Sequence, residues 1–239
     1  MTTLRLLGRF RLEYGGEVAD VSAGGQRLLA YLGLRQHATR SVLAGTLWPE
    51  ATEQHALGSL RTTLWKLHRE RPPVVQCDRD TLSLADTVSV DVRAMSESAL
   101  RVVGSTGATG GTGTTDADGG DPPLGSFLSG DLLPGWDEDW VLLERERLRQ
   151  LRLHALESVA EDLVARGQHA LALEAALESV RMEPLRESAH RAVVAVHLAE
   201  HNLAEALRHY KAFRGLLRTE LGIEPSGQFF AMLRQALAA

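Results

Sequence analysis

Residues 104–121, GSTGATGGTGTTDADGGD, hold almost nothing that a folded chain can bury. In such a tract no apolar burial offsets the entropy lost on ordering, so the composition predicts a disordered insertion. A phosphate cradle would need a lysine and a strand-then-helix setting, and the tract has neither. It therefore divides the chain of 239 residues. We expect one domain over 1–94, a linker over 95–130 that contains the insertion, and a second domain over 131–239.

The first part mixes strand and helix signals. Leu4, Leu6, Phe10 and Leu12 around Gly8, followed by Gly15-Gly16, read as a small N-terminal sheet. Residues 24–36 form a helix with Leu28, Leu29 and Leu32 inward. A shorter helix over 41–49 has Ser41 as its N-cap and Pro49 as its stop. A third runs from about Glu53 to Glu70 and ends at Pro72-Pro73. VVQC and TLSLA, separated by Asp78-Arg79-Asp80, give a hairpin, and VSVDV a further strand.

After the tract the pattern is helical throughout. Residues 136–167 read as one long helix, with Asp137 as N-cap and Leu148, Leu151, Ala155, Val159 and Leu163 on one side. GQHALAL (167–173) and HNLAEAL (201–207) align at a spacing of 34, which is the period of tetratricopeptide repeats. The fold expected is mainly α with a small β component: a winged helix-turn-helix domain followed by an all-α tetratricopeptide-like domain.

Charge and motifs narrow the chemistry. The net charge is −5, but residues 1–94 carry 12 basic and 10 acidic side chains, against 14 and 21 in 95–239. Any polyanion partner therefore belongs to the first part. The single Cys77 excludes an intramolecular disulfide and a cysteine-based metal cluster, and no apolar run is long enough to span a membrane. The expected location is the cytoplasm, with the nucleoid when bound to DNA. No hydrolase, metalloprotease or phosphate-loop motif is present, so no enzymatic activity, catalytic residue or cofactor is expected. His190, His197 and His201 could share a helical face, yet no cysteine or acidic ligand completes a metal set there.

The helix over 53–70 carries the functional signal. At about 100° per residue, Leu57, Leu60, Leu64 and Leu67 fall in one arc, and Ser59, Thr62, Lys66 and Arg69 in an opposite one with no acid among them. A short helix, a turn, a longer helix with hydroxyls and cations, and then a hairpin is the winged helix-turn-helix order, in which the second helix enters the major groove. The N-terminal strands narrow it to the OmpR-type variant. The candidate DNA-binding residues on the helix are Ser59, Thr62 and Lys66, nearest base edges, together with Thr63. Arg61 and Arg69, Arg40 and Ser41 at the start of the preceding helix, and Arg79 at the hairpin tip face phosphates. The competing reading is a protein-interaction adaptor that uses the repeats and keeps the winged helix as scaffold.

DLLPGWDEDWVLLERERLRQLRLHALE (131–157) and HYKAFRGLLRTELGIEPS (209–226), with LLGRFRL, LLAYLGL and GTLWP in the first part, resemble the SARP-type transcriptional regulators (Streptomyces antibiotic regulatory proteins). In these an OmpR-type winged helix precedes a bacterial transcriptional activator domain. The resemblance implies a regulator of secondary-metabolite or related genes that binds direct-repeat promoter sites, contacts RNA polymerase and is open to homodimerisation. Two departures stand out: KLHR (66–69) replaces an arginine-rich helix end, and Asp78 and Asp80 flank the hairpin tip. No ATPase module accompanies the two domains in these residues, so nucleotide-driven control within them is not expected.

Overall fold

The computed structural model describes residues 1–69, 73–106 and 124–238. They fall into two compact units, one made of residues 1–96 and 129–147, the other of 97–128 and 148–239. The expected class holds: strands are confined to the first unit and the second is helical.

In the first unit β1 (Thr2–Arg5), β2 (Arg11–Tyr14), β3 (Glu17–Val18) and β7 (Val88–Val90) form a sheet in the order β3-β2-β1-β7. The register sets Leu4 beside Leu12 and Val90, and all three are buried. Against this sheet lies α1 (Ala23–Arg35), whose Gly33 explains the fit: a Cβ there would come within 3.1 Å of the Leu4 and Leu6 side chains. The carbonyls of Leu32 and Gly33 at its end accept from the Arg93 guanidinium. A second sheet, β4-β6-β5, consists of β4 (His37–Thr39), β5 (Val75–Asp78) and β6 (Thr81–Leu84). Between its strands run α2 (Arg40–Leu47) and α3 (Glu53–Arg69).

Two expectations about boundaries change. Residues 91–106, assigned mostly to a linker, form α4 (Asp91–Thr106) with Val92, Met95 and Ala99 buried; Gly104 to Thr106 end this helix, and 107–121 of the insertion lie outside the described residues. The Asp91 carboxylate accepts from the amides of Leu6, Leu7 and Val92, while burial pushes its pKa up against those hydrogen bonds. Residues 129–147, assigned to the second domain from 131, pack with the first unit instead. Leu132 bridges Leu7, Leu132 and Leu133 are buried, and Arg145 donates to the carbonyls of Leu132, Leu133 and Trp136. Trp136 stacks on Phe10, and Trp140 meets Tyr31 edge-on.

The second unit takes in α5 (Leu124–Phe127) and, from Leu148, α6 (Asp139–Ala165). The long helix starts at Asp139, with the amides of Val141 and Leu142 on the Glu138 carbonyl, so Asp137 is not its N-cap. Then come α7 (His169–Met182), α8 (Glu187–Ala199), α9 (Leu203–Glu220) and α10 (Gly227–Ala238). The repeat of 34 recurs in the backbone. Gly167 and His201, at matching positions, both adopt positive φ (72° and 59°) in the turn before α7 and α9, and Ala172 and Ala206 are both buried.

That conformation takes His201 off the face it was expected to share. His190 is buried, stacked on Phe213 with ring centroids 3.9 Å apart, and bonded to the Pro184 carbonyl (2.8 Å) and to His209 (2.9 Å). Among the described residues no set of three or more His, Cys, Asp or Glu side chains is arranged to hold a metal. None of the described helices is long and apolar enough to cross a membrane.

Candidate nucleic-acid interface

The third helix anchors through Ala56, Leu60, Thr63 and Leu64, all buried, and turns Arg61, Thr62, Trp65 and Lys66 outward. This corrects the expected site at two positions. Thr63 is 8% exposed, its hydroxyl donating to the Ser59 carbonyl (2.9 Å), and it faces Gly24 at the start of α1. Ser59 itself is half-buried. Measured from the buried residues, the outer face is rotated by about 50° from the arc drawn through the polar residues. The rotation brings Trp65 beside Thr62 at the centre, adds Arg61 at one flank and moves Ser59 to the edge. Trp65, not singled out from the sequence, is 58% exposed. The same wheel shows it once the buried stripe, not the polar residues, defines the reference.

Hydrogen bonds fix what this face can offer. The Thr62 hydroxyl donates to the Gly58 carbonyl (3.0 Å), which leaves its oxygen lone pairs and methyl group outward. Lys66 and Arg61 remain cationic donors. A cleft of about 1000 Å³ runs along this side of α3, lined by Ser22, Gly24, Trp48, His55, Ser59 and Lys66 among others, with no acidic residue in its wall. Arg69 is the last residue of α3, and its side chain lies outside the described residues.

The hairpin is tied to both helices of the motif. His68, which the wheel set beside the leucines, is exposed as a residue but bonds through Nε2 to the Val75 carbonyl (3.1 Å), fastening the end of α3 to β5. The Arg40 amide donates to the Asp80 carbonyl, and the Arg40 guanidinium donates to Cys77 Sγ at 2.9 Å. The cap of α2 is Thr39, whose hydroxyl accepts from the Val42 amide (3.4 Å); Ser41, expected as the cap, is the second helical residue and exposed. Arg79 sits at the hairpin tip with φ 53°, exposed, between Asp78 and Asp80.

Residues 125–237 match the family model of the bacterial transcriptional activator domain. The chain resembles the SARP-type regulators in this match and in the two that follow. The match takes in the helical half, and the order of strands and helices before it agrees with that architecture. The regulatory protein AfsR of Streptomyces coelicolor is 27% identical over 230 residues, covering 92% of this chain and 22% of that protein. EmbR of Mycobacterium tuberculosis, solved in complex with a low-affinity phosphopeptide, shares the fold over 99% of this chain and 65% of its own, with a TM-score of 0.76 at 17% identity. The chain thus spans about a fifth of AfsR and two thirds of EmbR. The family is one of transcriptional regulators, not of enzymes.

Proposed function

We propose that this SARP-type chain is a sequence-specific DNA-binding regulator in the cytoplasm, activating transcription from direct-repeat promoter sites through contacts with RNA polymerase. The outward face of α3 carries this reading: Arg61, Thr62 and Lys66 stand along an acid-free cleft, on a helix braced by the hairpin through His68. A helix so presented fits the major groove, where lysine and arginine donate to guanine and a hydroxyl oxygen accepts from adenine or cytosine. Arg61, Ser41 and Arg79 face phosphates in this arrangement, Arg69 is assigned to phosphate from the sequence alone, and Ser59 reaches the groove edge. Thr63 contributes through packing. The activator role, the polymerase contact and a homodimer on paired sites follow from the family resemblance.

Gel-shift titration against the upstream region of the chain's own gene tests it. Lys66→Ala should lower affinity by about tenfold or more for the preferred site and relax discrimination at one base pair. Equal retardation of all sequences by both proteins rejects groove reading by α3. The adaptor reading draws on Asp78 and Asp80 beside Arg79 and on the engagement of Arg40 with Cys77. It is favoured if no competable binding occurs at low salt.

A further inference from the structure

Three of the four tryptophans are half-buried: Trp48, and Trp136 and Trp140, which pack on Phe10 and Tyr31. Trp65 is 58% exposed, between Arg61 and Thr62 on the outward ridge of α3. A large indole held in water by a rigid helix forgoes burial that the other three obtain, which points to a surface that covers it from outside. Seven residues earlier, about 20° away around the helix, lies Gly58. A Cβ there would meet nothing within 4 Å, so packing inside the chain does not call for glycine, although it lowers helix stability by about 1 kcal/mol relative to alanine. A bare backbone at Gly58 and an indole two turns on make a step into which a flat edge can come close. Thr62 lies between them with its hydroxyl proton on the Gly58 carbonyl, so its oxygen is presented as an acceptor beside the apolar face of the indole. Guanine, with its two acceptors, is poorly matched to the Thr62 oxygen. An A·T pair suits it, presenting the adenine N6 donor and the thymine methyl group, the apolar feature of the major groove.

We propose that the Gly58–Thr62–Trp65 strip reads an A·T pair, with Trp65 covering the thymine methyl group, while Arg61 and Lys66 flank it. This rests on the DNA-binding reading above. The test uses the full chain and the duplex that the wild type selects from a random library. Each thymine is replaced singly by deoxyuridine, which lacks the methyl group, and affinity is read by anisotropy. One position should weaken wild-type binding about fourfold, the value of one buried methyl. Trp65→Ala should bind the thymine duplex at least tenfold more weakly, lose the deoxyuridine effect and keep the salt slope, because no charge is removed. Trp65→Phe should restore part of the affinity. Gly58→Ala should raise the melting temperature and still weaken binding. Selection of no sequence by the wild type overturns DNA binding and this proposal together. A selected site on which Trp65→Ala binds like wild type, or keeps its response to deoxyuridine, overturns the proposal alone and leaves the exposed indole to a protein partner.

Discussion

Acidification should loosen the helical unit through the His190–His209 pair. Because the Pro184 carbonyl accepts from His190 Nε2, that nitrogen carries the proton, His190 Nδ1 is the acceptor, and His209 Nε2–H must donate to it. Both rings are then neutral. Burial, then the nearby His190 and His197, hold the His209 pKa down from 6.5 to about 4, and burial also lowers that of His190 despite the Pro184 bond. A depressed histidine pKa means that the unfolded chain binds the proton first, so stability is complete above pH 6.5 and falls as the pH drops toward 4. Between pH 7 and 5, His209 alone accounts for about 2 kcal/mol at roughly 1.4 kcal/mol per tenfold. Partial solvation of the ring reduces this to about 1 kcal/mol. Urea unfolding followed by circular dichroism at the two pH values measures it. His209→Gln keeps a donor toward His190 Nδ1 but cannot titrate, so it should lose about 1 kcal/mol less than wild type over that interval. Equal losses in both proteins, or an NMR titration of His209 above pH 6, refute the reasoning.

Two further substitutions probe the scaffold. His201→Gly should stabilise the chain by about 1 kcal/mol in thermal melts, because residue 201 holds a positive φ that glycine adopts without strain, as Gly167 does at the matching turn. Asp91→Ala should cost about 2–3 kcal/mol in urea unfolding, since the amides of Leu6, Leu7 and Val92 lose their acceptor together.

Much of the first unit could be read from residue order, because its strands alternate and its helices carry caps and stops within a few residues of the observed ends. The repeat of 34 was legible too, and goes deeper than composition, since Gly167 and His201 share a backbone conformation although their side chains differ. What local pattern could not convey is pairing across sequence. Leu132 and Leu133 look like the approach to a long helix, but their partners are Leu6 and Leu7, more than 120 residues away. Likewise α4 is rich in serine and runs into the glycine tract, and its buried stripe of Val92, Met95 and Ala99 is visible only against a known core. At the site, Thr63 and Trp65 exchanged roles for one reason. Polarity served as the guide to exposure, whereas a threonine can hide its hydroxyl on its own helix and a tryptophan can be kept outside by the helix that carries it.

The arginines bear on how such a chain would hold DNA. Arg40 donates to Cys77 and Arg79 is set between two aspartates, so two of the expected phosphate contacts are weakened before DNA arrives. Each phosphate neutralised steepens the dependence of log affinity on log salt by about 0.9. With Arg61, Lys66 and Arg69 as the remaining cations of α3, one copy should show a slope no steeper than about −3. Specific binders commonly neutralise more, and so few contacts leave a single copy with modest affinity at physiological salt. Two copies on neighbouring half-sites escape this limit, since the second binds at the high effective concentration set by the first. The proposed direct-repeat operator is thus what the charge pattern calls for. A slope that doubles when a second half-site is added to the duplex, with affinity rising far more than twofold, is the expected result. A single half-site that binds as tightly as two, with a slope of about −4.5, would mean that Arg40 and Arg79 let go of Cys77 and the aspartates and reach phosphate after all.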